Sequence, residues 1–97
     1  MSAELDFSKT YGFARGFSFR KEAFGGIICH FEGHRPDPRL YFVNSPFLVG
    51  LLELLGEAPL ETLIGEAARQ FGLTAAEVGQ VRRFFSTLAS RGAFVPQ

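Results

Sequence analysis

Arg39-Leu40-Tyr41-Phe42-Val43-Asn44-Ser45-Pro46 is the stretch at which this chain changes its period. Before it, aromatic and β-branched residues come in short runs cut by glycines, which is the pattern of strands and turns. After it, apolar residues recur three and four apart, which is the pattern of helices. Leu40 to Val43 is a run of strand formers. Asn44 and Ser45 both suit a helix N-cap, and Pro46 suits the first helical position, where its missing N–H is not needed. A last strand therefore hands directly into a first helix.

Upstream, residues 1–12 are polar and mixed and read as a flexible, loosely held N-terminal arm, leaving 13–97 as one domain. A first strand is predicted over Gly16 to Arg20, a turn over Lys21 to Gly25, and a second strand over Gly26 to Phe31. That second strand is apolar at nearly every position, as if covered on both faces. Glu32 to Pro38 is a connection whose two prolines forbid regular pairing. With Leu40 to Val43 as the third strand, short connections favour an antiparallel meander. Downstream, helices are predicted over Pro46–Leu55, Pro59–Phe71 and from Thr74 to about Arg91. The first carries Phe47, Leu48, Leu51, Leu52 and Leu55 as its stripe, and the second Leu60, Leu63, Ile64, Ala67 and Phe71. Thr74-Ala75-Ala76-Glu77 is a capping box opening the third, with Val78, Val81, Phe85 and Leu88 buried. Ala93-Phe94-Val95 either adds a short strand or packs down. The fold class is α+β, in the order βββααα.

Composition bounds the function. Ninety-seven residues make one small domain, and 12 phenylalanines within a 46% apolar chain give it an aromatic core. Lys+Arg and Asp+Glu balance at 10 each, which argues against duplex nucleic acid as the main partner. No apolar run approaches the roughly 18 residues of a membrane span, and the N-terminus has no signal-peptide pattern. A lone cysteine, Cys29, excludes an internal disulfide and agrees with a reducing compartment; a cytoplasmic location is expected.

Candidate chemistry is sparse. Cys29, His30 and His34, with Glu32 and Asp37 near, form a metal or thiol cluster on paper. Cys29 and His30, however, are strand neighbours that point to opposite faces, and no second His/Cys pair exists. They read as a small buried thiol and two ordinary surface histidines. The glycines do not form a phosphate loop, and no Ser/His/Asp arrangement can be justified. The chain reads as non-enzymatic, without metal or cofactor. Arg82, Arg83 and Arg91 on the third helix leave a winged-helix nucleic-acid-binding protein as the alternative, against a solvated outer face.

The third strand is left over. A meander leaves an outer strand with unpaired N–H and C=O groups, which proteins usually blunt with Lys, Pro or bulges. Leu40 to Val43 holds no such residue. Either it is the central strand, or Phe94-Val95 covers it, or it accepts a partner's peptide by β-augmentation. In the last case a proline at Tyr41 is expected to remove a ladder donor and distort the edge, weakening binding more than a side-chain deletion would.

The run Phe13-Ala14-Arg15-Gly16-Phe17-Ser18-Phe19-Arg20, then Leu40 to Asn44, then Ser90-Arg91-Gly92-Ala93-Phe94 resembles the small peptide chaperones of pyrroloquinoline-quinone biosynthesis. Phe24-Gly25-Gly26-Ile27-Ile28 together with Arg39 to Pro46 is more similar to the peptide chaperones of the mycofactocin system. The longer, proline-bearing loop from Glu32 to Pro38, and Lys21 where the former relatives commonly carry an acid, favour the mycofactocin branch. The resemblance covers residues 11 to 95. It implies a winged-helix-like βββααα fold that recognises a ribosomally made, post-translationally modified peptide. The leader of a short precursor would add as a strand along the third strand, in a groove walled by the third helix, and be presented to a radical S-adenosylmethionine maturase. In the mycofactocin system that enzyme oxidatively decarboxylates the precursor's C-terminal tyrosine and cross-links it to the preceding valine. The iron–sulfur clusters belong to the enzyme, since nothing in this chain could ligate one.

On that reading the peptide-binding residues are Arg39, Leu40, Tyr41, Phe42, Val43 and Asn44 of the strand. With Val81 at the centre of the buried stripe of the third helix, Gln80, Arg83, Phe84, Thr87 and Arg91 fall along one flank and complete the set. Arg82, Ser86 and Ala89 form the opposite flank.

Overall fold

The computed structural model describes residues 5–97. Its elements are β1 (Tyr11–Phe13), β2 (Phe17–Glu22), β3 (Gly25–His30), β4 (Arg39–Val43), α1 (Pro46–Glu53), α2 (Leu60–Phe71), α3 (Ala75–Ser90) and β5 (Phe94–Pro96). The architecture is α+β. An antiparallel sheet in the order β2-β3-β4 packs on the three helices, and β1 pairs with β5 in a second, two-stranded sheet.

Alternation along the strands decides which face is covered. Phe19, Ile28 and Tyr41 lie side by side across the sheet, and Gly26 lies beside Val43. Ile28 and Val43 belong to the core, with Phe19 and Tyr41 packed against it. The opposite face, carrying Leu40 and Phe42, is open: these side chains are 47% and 68% exposed. The sequence pattern of β3 suggested cover on both faces. Instead its outward Ile27 is shielded within the sheet, between Arg20 and Phe42, and stands apart from the main core.

The helices supply the rest of the core. Phe85, Leu51, Leu60 and Val81 are essentially sealed from water with Ile28, each worth roughly 1.5–3 kcal/mol of burial. Phe94 is the aromatic hinge between the layers, its ring centroid 5.7 Å from both Phe85 and Phe13. The capping box forms as spaced: Glu77 N–H donates to Thr74 Oγ1 (3.2 Å) and Thr74 N–H donates to Glu77 Oε1 (2.9 Å). At α1 only half of the expected cap appears. Ser45 takes the N-cap position and Pro46 follows it, but the Ser45 hydroxyl is buried and makes no hydrogen bond. Helix α1 also stops at Glu53, two residues short of expectation, because Leu54 to Glu57 tighten into turns. Phe71 falls outside the α2 core stripe; it is 46% exposed and sits 6.1 Å from the ring of Phe47.

The largest departure is at the N-terminus. Residues 1–4 lie outside the described residues, but from Leu5 onward the chain is docked where a loose arm was expected. Leu5 and Phe7 pack on the core, and Tyr11 is buried, its hydroxyl donating to the Asp6 carbonyl. The segment also completes α2. Pro59 gives that helix no side-chain cap, and the N–H groups of Leu60 and Glu61 donate instead to the carbonyls of Lys9 (3.0 Å) and Phe7 (2.8 Å). Residues 11–13 then form β1 against β5, so the C-terminal strand is occupied here and does not cover β4.

Candidate functional site

Among the described residues β4 is an outer strand of its sheet, with β3 on one side and no strand on the other. Which backbone groups it leaves free follows from the ladder. Phe31 N–H donates to the Gly16 carbonyl at 2.8 Å, so the odd-numbered residues of β3 aim their backbone groups at β2. The even-numbered ones, Gly26, Ile28 and His30, therefore face β4, where their partners are Val43, Tyr41 and Arg39. The N–H and C=O groups of Leu40 and Phe42 are left pointing outward. The N–H of Tyr41, where the sequence reading placed a proline to disturb binding, is a donor in the ladder with β3 and does not point to the free edge. Residue parity was legible in the sequence; which parity met β3 was not.

Beyond that edge runs a groove of about 450 Å³, lined by Leu40, Tyr41, Phe42, Phe84, Thr87, Leu88 and Arg91. One wall is β4 and the other is the C-terminal half of α3. Phe84 is half-buried and meets Phe85 edge-on, with centroids 5.4 Å apart. Phe85 itself is fully buried and holds that part of the helix against the core. Arg91 bridges the walls, its guanidinium donating to the Tyr41 hydroxyl at 3.2 Å and lying 5.3 Å from the centre of the tyrosine ring. Such a cation over an aromatic face fixes both side chains at the groove's end.

Of the residues singled out in the sequence, Leu40, Tyr41, Phe42, Phe84, Thr87 and Arg91 come together here. The others do not line the groove. Val43 turns into the core, at 3% exposure. Asn44 borders a separate cleft with Phe24, Val49 and Glu53. Arg39 is drawn toward Glu32, 3.5 Å away. Gln80 and Arg83 are exposed on α3 but away from this lining. Leu88 was assigned to the core alone; it is a buried residue whose edge also floors the groove, a double role that helical spacing does not reveal.

The three helix arginines do not form one face. Arg82 lies over the Phe7 ring at 4.0 Å, Arg83 points to solvent, and Arg91 caps the groove. The Cys29 group is likewise divided. Cys29, expected to be buried, is only half-buried because it shares the open sheet face with Leu40, whereas His30 stacks on Phe17 at 3.9 Å on the covered face. His30 and His34 instead gather with Arg35 and Arg39 around the Glu32 carboxylate, at 3.5 to 3.9 Å. Among the described residues no set of three or more His, Cys, Asp or Glu is placed to hold a metal ion, and no helix is long and apolar enough to cross a membrane. Comparison of the chain with protein-family models, curated proteins and solved structures finds no match.

Proposed function

We propose that this chain is a non-catalytic peptide chaperone, which takes the leader of a ribosomally made precursor peptide as an added strand beside β4. The observation that carries this reading is the free backbone edge at Leu40 and Phe42, opening directly onto an apolar groove walled by α3. Main-chain hydrogen bonds to those two residues set the register of the peptide. Alternate side chains then enter the groove, and specificity resides there. The resemblance to the mycofactocin-system chaperones extends the reading: the precursor would be a mycofactocin-type peptide and the recipient a radical S-adenosylmethionine maturase, which supplies all the redox chemistry. The chain's part is to hold the leader in an extended form, so that the ordering cost is met before the enzyme engages.

Isothermal calorimetry with a mycofactocin-type precursor peptide tests the proposal. One-to-one binding is expected, abolished by Phe42→Pro in a chain that still melts cooperatively. Absence of heat at high concentration overturns it. Random duplex DNA serves as the control: binding that weakens steeply with salt would favour a nucleic-acid partner instead.

A further inference from the structure

We infer that the peptide taken by this groove carries a carboxylate side chain directed at Arg91, with an apolar side chain two residues away against Phe84 and Leu88. The inference rests on the strand-addition reading and adds a substrate class to it. Residues opposite one another in a sheet project to the same face. A peptide residue opposite Leu40 or Phe42 therefore projects to the open sheet face. The residue opposite Tyr41, and those two positions before and after it, project into the groove.

What meets them there is apolar except at one end. Tyr41, Phe84 and Leu88 present rings and a methyl edge; Thr87, the Tyr41 hydroxyl and Arg91 are the polar groups. Arg91 is the single formal charge in the lining, and no carboxylate lies within 4.0 Å of it among the described residues. Four other arginines are already engaged: Arg39 and Arg35 with Glu32, Arg82 with the Phe7 ring, and Arg20 with Glu22; Arg83 is exposed on α3 but does not line the groove. In the free protein water reaches the Arg91 guanidinium. A strand laid across the groove displaces that water, and a charge covered without a counter-charge opposes binding. A carboxylate on the peptide satisfies it with a charge-assisted hydrogen bond, and the Tyr41 contact holds the guanidinium ready. A peptide lysine at the same position would be repelled. The groove thus discriminates by charge at one position and by apolar volume beside it.

A displayed library of random twelve-residue peptides, selected on the immobilised full chain, tests this. Peptides recovered on the wild type should carry Asp or Glu at one fixed position, with apolar residues two positions away. Selection on Arg91→Glu should replace that acid by Lys or Arg. A recovered acidic peptide should bind Arg91→Gln about 10- to 100-fold more weakly, the range of a charge-assisted hydrogen bond, while Arg91→Lys retains most of the affinity. If recovered peptides lose binding on Phe42→Pro or Leu40→Pro yet show no acidic position and bind Arg91→Gln normally, the carboxylate inference fails and strand addition stands. If no recovered peptide depends on either proline variant, both are overturned. Thermal melts of each variant confirm that the chain remains folded.

Discussion

Phe84 and Phe85 are neighbours in sequence with opposite duties. Phe85 is fully buried at the junction of α3, β5 and the sheet, so Phe85→Ala should open a cavity and lower stability by roughly 3–5 kcal/mol. Phe84 is half-buried beside the groove, and Phe84→Ala should lower peptide affinity by roughly 1–3 kcal/mol with a smaller loss of stability. Paired melting and calorimetry on both variants separates the two roles; loss of stability without loss of affinity for Phe84→Ala would exclude it from the groove. Two glycines give a second contrast. Gly25 has φ +147°, and a Cβ there would run into the Val43 carbonyl oxygen, where β3 meets β4. Gly72 has φ +64° at the end of α2, with nothing within 4 Å of a Cβ. Gly72→Ala should cost only the backbone strain of about 1–2 kcal/mol. Gly25→Ala should exceed that, since strain and collision act together, and should loosen β4 itself. Chemical denaturation of the two variants measures the difference.

At the scale of elements, α3 and β4 decide how the groove is held. Helix α3 has its own start signal in both halves of the capping box, and Thr74→Ala should remove about 1 kcal/mol of stability, read as a drop in melting temperature of roughly 4–8 °C. Strand β4 depends on β3 for every ladder bond it makes. Prolines placed along it should therefore alternate in effect. At Leu40 or Phe42 proline removes an outward donor, so the domain stays folded and peptide binding is lost. At Tyr41 it removes a donor from the β3–β4 ladder, and the domain itself is destabilised. Circular dichroism melts alongside binding on the three variants check this; uniform destabilisation at all three would mean that the outward parity is wrongly assigned.

At the scale of the whole molecule, the two ends of the chain close the fold together. β1 pairs with β5, Gln97 N–H donates to the Thr10 carbonyl, and the carbonyls of Phe7 and Lys9 complete the first turn of α2. Deleting residues 1–10 should therefore lower stability by at least about 2 kcal/mol, and the melting temperature by roughly 10 °C or more. A loose arm would leave both unchanged, and differential scanning calorimetry distinguishes the outcomes. The elements themselves were legible in the amino-acid order because local rules write them: the glycine-cut strands, Ser45-Pro46 at the start of α1, the Thr74–Glu77 box, and the 3.6-residue spacing of Leu60, Leu63, Ile64 and Ala67. The α+β class and the meander of β2, β3 and β4 follow from these with short connections. Tertiary structure alone decided the rest, because it depends on partners far apart in sequence. Tyr11 to Phe13 carries too short a pattern to announce a strand, and becomes one only when Phe94 to Pro96 arrives beside it. Leu40 and Phe42 differ from Tyr41 by one step of parity, and only the pairing with β3 says which of them keeps its backbone groups free. Phe84, Thr87 and Arg91 share a helix flank by spacing, whereas their position across a groove from β4 is set by Phe85 packing into the core, a long-range contact that no local pattern encodes.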